Sequence, residues 1–455
     1  MEAVSGRHTE RFRKTYRSLA YVAIAGMVLL TSDTKQAHSL PISTSPIVQT
    51  IIHPSSQNIL ITEGIISPNN LSQYQTDGLR QLYTYPLFDM AAYEATTEQA
   101  LSDVKDDDSI HAVYNSDFHL TGSSTTVVLG QTEQETRDGW DSVMNTVGIT
   151  TLAMLYHVDV SNSEICFIDT AYDTSHPAIA PHVVHEECNS SETEDIASLC
   201  TDGPHPASDE NCSGECIHGT MVASAGIMNS PVKASLFKTA SAFGGDVPGL
   251  KDVDILAGFH GCLQRKIDGH DVVAANLSAS HYSTFSNACN DVESAKPYAQ
   301  VFKKLVKNGI SVVVSGGNFS EKNEVGIPAC VVDSPEPLAD DIFSVSSSTY
   351  KVGEAPTIAS FTNRSALLTS IFAPGTDIPV ATTGNYYATA SGTSFSAPIT
   401  SLTLAYLDKL LVNLAPGEKE RFIRNGALQL NDNGEVFFVL NLGRSVRGKS
   451  SITIS

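Results

Sequence analysis

Residues 253–278 read VDILAGFHGCLQRKIDGHDVVAANLS. Through VDILAGFHGCLQRKID the apolar positions recur at helical spacing. After Gly269 the pattern changes to VVAANLS, a short β-branched and apolar run of the kind that forms a strand buried on both faces. A helix that runs directly into a buried strand is half of a βαβ unit. The same alternation extends in both directions. EICFID (164–169), KASLFK (233–238), SVVVSGG (311–317) and DIFSVSS (341–347) read as further strands. HGTMVASAGI (218–227) and YAQVFKKLVKNG (298–309) read as further helices. Buried strands alternating with helices predict an α/β fold: a doubly wound, mostly parallel sheet with helices on both faces. There is no internal repeat and no long low-complexity tract.

Ahead of that region the composition differs. Residues 40–60 are rich in Ser, Pro, Ile and Thr and read as a loose first segment. From about 62 to 118 a compact pattern follows: RQLYTYPLFDM as strand, TTEQALSDVKDD as a short amphipathic helix opened by a threonine cap, SIHAVYNSD as a second strand. That is enough for a small α+β module. LTGSSTT (120–126) is small and polar, a candidate boundary and cleavage site. At the very start, Arg7, Arg11, Arg13, Lys14 and Arg17 precede the apolar run LAYVAIAGMVLL (19–30), with Ala37-His38-Ser39 at cleavage spacing. A membrane span needs about 20 apolar residues, so the shorter run predicts a cleaved secretory signal over 1–39, an uncleaved anchor being the alternative.

The whole chain has 455 residues, 28 basic and 50 acidic, for a net charge of −22. That balance argues against nucleic acid or an anionic membrane as a partner and suits a soluble exported protein. Of eight cysteines, Cys188, Cys200, Cys212 and Cys216 fall in a polar stretch at 186–216. His182, His185 and His205 are close by, but the spacings match no common zinc pattern, and an oxidising compartment predicts two local disulfides there. Cys289 and Cys330 are expected partners. Cys166, in a strand pattern, and Cys262, in a helical one, are expected as buried thiols.

Residues 391–400, SGTSFSAPIT, crowd small residues ahead of a long apolar helix pattern. Small residues let backbones approach, and proline in a first helical turn forfeits no hydrogen bond. The stretch suits a serine hydroxyl, that of Ser394, presented at a helix N-terminus, where free N–H groups favour a developing anion. A Ser/Thr-rich cap is the other reading. In a doubly wound sheet the chemistry gathers at the carboxyl ends of strands. Asp169 ends EICFID, His218 opens HGTMVASAGI, and Asn318 follows SVVVSGG through a glycine turn.

Together these residues run Asp…His…Ser along the chain, and the sequence resembles the subtilisin-like serine peptidases, which share that order. The blocks are IDTAYD, HGTMVA, SGGN and GTSFSAP, and the likeness extends from about Trp140 to VLNLGRSV near 446. The resemblance implies Ser394 as nucleophile, His218 as general base and acid, Asp169 as its orienting carboxylate, and Asn318 as an oxyanion donor. It implies that Leu277, Ser278, Ala279, Ser280, Ser315, Gly316 and Gly317 line a cleft for polypeptides in extended conformation. His281 stands where relatives commonly keep a glycine. Catalysis needs no metal or other cofactor on this reading; the longer loop that holds calcium in many relatives is missing after Asn229-Ser230. The acidic insertion, with Asp202, Asp209 and Glu210, is a solvated loop before it is a calcium site.

The implied organisation is a signal peptide (1–39), a propeptide that acts as an intramolecular inhibitor with a flexible junction (40–130), a catalytic domain (131–446) carrying the Cys-rich insertion, and a tail (447–455). Maturation is expected within 117–135, and the product is expected to be secreted, extracellular or periplasmic, with no membrane partner once the signal is cut. Two rivals are a catalytically silent binding protein on the same scaffold and a serine esterase of another fold. The esterase would want G-x-S-x-G and the order Ser…Asp…His, which Ser394 does not satisfy.

Overall fold

The computed structural model describes residues 59–66, 68–105, 107, 110–114, 117–120, 127–191, 215–239, 249–332, 341–411, 414 and 417–447. The chain divides into two units, Met1–Ile51 and Ile52–Ser455. The first unit, with the expected signal segment, lies outside the described residues. So do the centre of the Cys-rich insertion, the expected junction after Leu120 and the C-terminal tail.

At the centre is a sheet of nine strands among the described residues. Its spatial order is Leu428–Asp432, Glu435–Val439, Ile371–Pro374, Ile342–Ser348, Ser311–Ser315, Val272–Leu277, Glu164–Asp169, Lys233–Thr239, Val183–Asn189. All neighbours are parallel except the first two, which form an antiparallel hairpin. Side chains alternate between faces as a strand requires. Ile165 and Phe167 point into one core with Val222, Ala225, Phe395 and Leu402. Cys166 and Ile168 point into the other with Leu256, Phe259, Phe302 and Leu305. The helices Glu215–Ile227 and Thr393–Leu410 cover the first face; Asp252–Ile267 and Lys296–Lys307 cover the second. Each large side chain buried in this way contributes about 1.5–3 kcal/mol.

The five expected strands and three of the helices appear within a few residues of their predicted limits. Val183–Asn189 was not expected, because as the outermost strand it is half-exposed and carries polar residues instead of an apolar run. Cys166 and Cys262 correct the reading of buried thiols. They are disulfide-bonded to each other across 96 residues, with Cα atoms 6.0 Å apart. Alternation on the strand turns Cys166 toward the helix that carries Cys262, a juxtaposition that local pattern cannot reveal. Cys289 and Cys330 are paired as expected. Cys188 is disulfide-bonded, but its partner lies outside the described side chains, so the pairing within the insertion stays an expectation.

The N-terminal module begins at Ile59, earlier than its sequence pattern suggests. It is a four-stranded antiparallel sheet in the order Leu79–Tyr85, Met90–Ala95, Ile59–Glu63, His111–Tyr114, with helices Pro68–Asp77 and Glu98–Lys105. Thr97 caps the second helix by accepting from the Ala100 N–H, as its sequence predicts. RQLYTYPLFDM is not one strand: Pro86–Asp89 turns the chain, with Asp89 in the left-handed region at φ 56°. One face of this sheet forms the module's own small core. The other face sends Ile59, Ile61, Tyr85, Phe88, Met90 and Ala92 into the core shared with the second helical layer. Tyr83 and Tyr85 donate their hydroxyls to Asp254 Oδ1 (2.9 Å) and the Val253 carbonyl (2.7 Å) at the start of Asp252–Ile267. Burial, with Asp254 beside it, holds the Tyr83 hydroxyl far above the ordinary tyrosine range, so it remains a donor throughout the accessible pH range.

Candidate active site

Chain order reverses about Glu164–Asp169: the next strand in sequence lies on one side of it, and Val272–Leu277 lies on the other. Such a switch point opens a crevice at the carboxyl ends of the strands. Asp169 is the last residue of its strand and is fully buried. Its Oδ1 accepts from the Thr170 N–H (2.7 Å) and lies 2.7 Å from His218 Nδ1. Thr239, at the end of the neighbouring strand, donates its hydroxyl to the Asp169 carbonyl at 3.0 Å. Oδ1 is thus met by the Thr170 N–H and the imidazole, whereas Oδ2, equally buried, has no partner among the described residues.

His218 sits in the first turn of Glu215–Ile227. The helix comes this close because residue 219 is glycine. A Cβ there would fall 2.6 Å from the Ala171 carbonyl oxygen and 2.9 Å from that of Thr170. The Gly219 N–H instead donates to the Thr170 hydroxyl at 3.0 Å, which ties the aspartate and histidine segments together. With Nδ1 facing the carboxylate, Nδ1 carries the proton and Nε2 holds the lone pair. Among the described residues Nε2 has no hydrogen-bond partner, although it is buried. Ser224, in the same helix, accepts from the Ala381 N–H at 2.9 Å, which gives it a structural role.

The serine helix starts earlier than expected. It runs Thr393–Leu410, so Pro398 lies in its second turn and not its first. Proline there removes the N–H that would have bonded to the Ser394 carbonyl. The Ser278 hydroxyl takes over that carbonyl at 2.9 Å. The Ser394 hydroxyl in turn lies 3.4 Å from the Ser278 carbonyl. Phe395, the next residue, has its ring centroid 6.3 Å from that of His218, so the serine and histidine helices meet at this point.

Asn318 follows Gly317, whose φ of 110° favours glycine and whose Cβ would strike Asn363 Nδ2 at 2.6 Å. Its Oδ1 accepts from the Thr393 N–H (3.0 Å) and hydroxyl (2.9 Å). That fixes the amide so that Nδ2 faces away, buried and without a partner among the described residues. His218 Nε2 and Asn318 Nδ2 are thus unpartnered among the described residues, on side chains that touch Phe395 and Thr393, the two neighbours of Ser394. Buried polar atoms normally find partners, and such exceptions ask for an explanation.

The remaining expected residues divide. Ala279–Ser280 form a short strand that pairs antiparallel with Asp117–Leu120. The opposite edge of Asp117–Leu120 pairs with Gly249–Lys251, giving a three-stranded antiparallel sheet. Leu277 ends its strand inside the hydrophobic core. Ser315 is buried at a strand end. The N–H groups of Gly316 and Gly317 are bound to the Val345 carbonyl and the Thr393 hydroxyl, so these three residues shape the site from behind. Gly249–Lys251, Thr393 and Thr170 escaped the sequence reading. The first is a three-residue strand, too short to show a period; the threonines act by hydrogen bonds that have no sequence signature.

A family model described as the subtilase family matches residues 161–439. The chain belongs to the subtilase family. Subtilases are serine peptidases, and polypeptides are their substrates. Among solved structures the chain is similar to fervidolysin from Fervidobacterium pennivorans, described as a keratinolytic enzyme related to subtilisin. That match has 17% identity and a TM-score of 0.62, and covers 87% of this chain and 61% of the other, so the chain spans under two thirds of fervidolysin's length. It is also similar to the epidermin leader peptide processing serine protease of Staphylococcus aureus. One structure of that protein matches at 16% identity with a TM-score of 0.60, covering 86% of this chain and 99% of the other. A second, with a serine replaced by alanine, matches at 15% and 0.62, covering 87% and 100%. At these identities the likeness shows the fold, a subtilase sheet with its helices. No curated protein sequence matches the chain.

Proposed function

We propose that this subtilase is a secreted serine endopeptidase made as an autoprocessed precursor. One observation carries the reading: His218 Nδ1 lies 2.7 Å from Asp169 Oδ1 while Nε2, buried and without a partner among the described residues, sits beside the serine helix. The relay requires the Ser394 hydroxyl to leave the Ser278 carbonyl and turn to Nε2, and such bonds commonly tighten only when substrate is bound.

In the proposed reaction Ser394 Oγ attacks the scissile carbonyl carbon as its proton passes to Nε2. Asn318 Nδ2 and the Ser394 backbone N–H, at the second position of its helix, hold the tetrahedral oxyanion. Collapse breaks the C–N bond, and the imidazolium gives its proton to the leaving amine. Water repeats the sequence on the acyl-enzyme. Every proton and charge has a side chain or backbone group assigned, so the chemistry calls for no metal. A fluorophosphonate is expected to label Ser394 in the mature protein and to leave Ser394→Ala unlabelled; equal labelling of both would overturn the reading.

Asn318→Ala is expected to lower kcat about 10²–10³-fold, a magnitude known for this donor from subtilisin, with KM moving less than threefold. A rise in KM at constant kcat would show that Asn318 binds substrate and does not act on the oxyanion.

The pairing of the N-terminal module supports reading it as an intramolecular inhibitor. Strand Asp117–Leu120 occupies the groove between Ala279–Ser280 and Gly249–Lys251, in the antiparallel manner of an extended substrate. Its pairing runs toward Ser278, next to Ser394, so maturation is proposed a residue or two past Leu120. N-terminal sequencing of secreted protein is expected to give a start at residue 122 or 123, inside the stretch 117–135. A mature chain that begins near residue 40 would make this module a permanent domain. Export is supported by the basic and apolar start of the chain and by its disulfides. No helix among the described residues is long and apolar enough to cross a membrane.

A further inference from the structure

The groove has two rims, and each runs straight into one member of a buried polar pair. Lys251 ends one rim and is followed by Asp252, the first residue of the helix Asp252–Ile267. Ser280 ends the other and is followed by His281. His281 Nε2 lies 3.7 Å from Asp252 Oδ1, the side chains being only 9% and 2% exposed. The same oxygen accepts the Tyr298 hydroxyl at 2.6 Å, from the helix Lys296–Lys307. The His281 N–H donates to the Ile327 carbonyl at 2.9 Å, which anchors its backbone from behind.

The position along the groove matters. Ser278 is in contact with Ser394, and Ala279, Ser280 and His281 step away from it. The pair therefore closes the end of the groove remote from the serine. An occupant strand needs about 4.8 Å to each neighbour, so the rims must stand about 10 Å apart to receive it. They are segments of three and two residues, and each pairs with the middle strand, not with the other rim. With the middle strand gone, the contact between Asp252 and His281 still links the two rims at their far ends.

We propose that His281 is a positioning residue: its contact with Asp252 holds both rims at strand spacing, so that the groove favours extended polypeptides reaching about four residues upstream of the scissile bond. This rests on the peptidase reading above. A preorganised groove spares a long substrate the ordering of the rims, while a short one never reaches them. The cost of losing the contact falls on substrate binding and not on the chemical step.

The mature protein should be assayed with two chromogenic substrates, one with a single residue before the scissile bond and one with four. His281→Gln is expected to raise KM for the four-residue substrate about fivefold, the upper scale of a single ion-pair contact, with kcat within twofold. The advantage of the long over the short substrate should shrink by the same factor. Asp252→Asn, which keeps an acceptor for Tyr298 but removes the charge, should reproduce the shift. The double variant should cost no more than either single one. Equal losses on both substrates, or an unchanged KM for the long one in both variants, would overturn the proposal. Fluorophosphonate labelling separates the two claims: a wild-type protein that is not labelled removes the peptidase reading, whereas variants labelled at the wild-type rate with no length-dependent change remove only the role of His281.

Discussion

Ser394→Ala is expected to lower kcat about 10⁶-fold and to leave the precursor uncut, so that the N-terminal module stays covalently attached. The size of the loss is that found in subtilisin when its nucleophile or its base is removed alone. It is so large because the groups act as a unit. Without Oγ the proton that His218 Nε2 would accept has no source, and the buried nitrogen stays unpartnered. The substitution deletes one hydroxyl at a fully buried position of the helix Thr393–Leu410. The Ser394 carbonyl keeps its bond from the Ser278 hydroxyl, so the fold should hold. Electrophoresis of secreted wild type and variant, with turnover of a peptide substrate, reads both effects. Processing of the variant at the wild-type rate would transfer the cut to another protease and remove the autoprocessing claim.

Asp169→Asn is expected to lower kcat about 10⁴-fold, the scale set when the same exchange is made in a serine protease triad. Asparagine fills the same space, and the Asp169 carbonyl keeps its bond from Thr239, so the strand end should survive. What changes is the proton on the imidazole. The carboxylate oxygen at 2.7 Å accepts from Nδ1 and leaves the Nε2 lone pair toward the serine. An amide that presents its NH₂ group to Nδ1 moves the imidazole proton to Nε2, where His218 can no longer act as a base. KM should change little, since Asp169 is fully buried and touches no substrate. A loss under tenfold in kcat, measured on correctly folded and processed protein, would show that the carboxylate does not orient His218.

How much of this was legible in advance depends on the range of the interactions. The α/β class could be read from residues 164–347, because strand and helix periods are local and the strands here are buried on both faces. The half-exposed edge strand Val183–Asn189 broke that pattern and was invisible. Asp169, His218, Asn318 and Ser394 could be singled out as candidates because each lies at a strand end or helix start amid small residues, in an order that matches a family. The start of the serine helix was misplaced by a turn, since Pro398 is tolerated inside it only through a hydroxyl from Ser278, 116 residues away in sequence.

Taken alone, the sequence determined which groups are present and which local element each belongs to: backbone propensity, periodicity and small-residue crowding act over a few residues. The tertiary structure alone decided the partnerships. It joined Cys166 to Cys262, turned the Asn318 amide by way of Thr393, laid Asp117–Leu120 between two short rims, and set His281 against Asp252. Each of these depends on distances between segments far apart in the chain, which only the packing of the two helical layers on one sheet brings within bonding range.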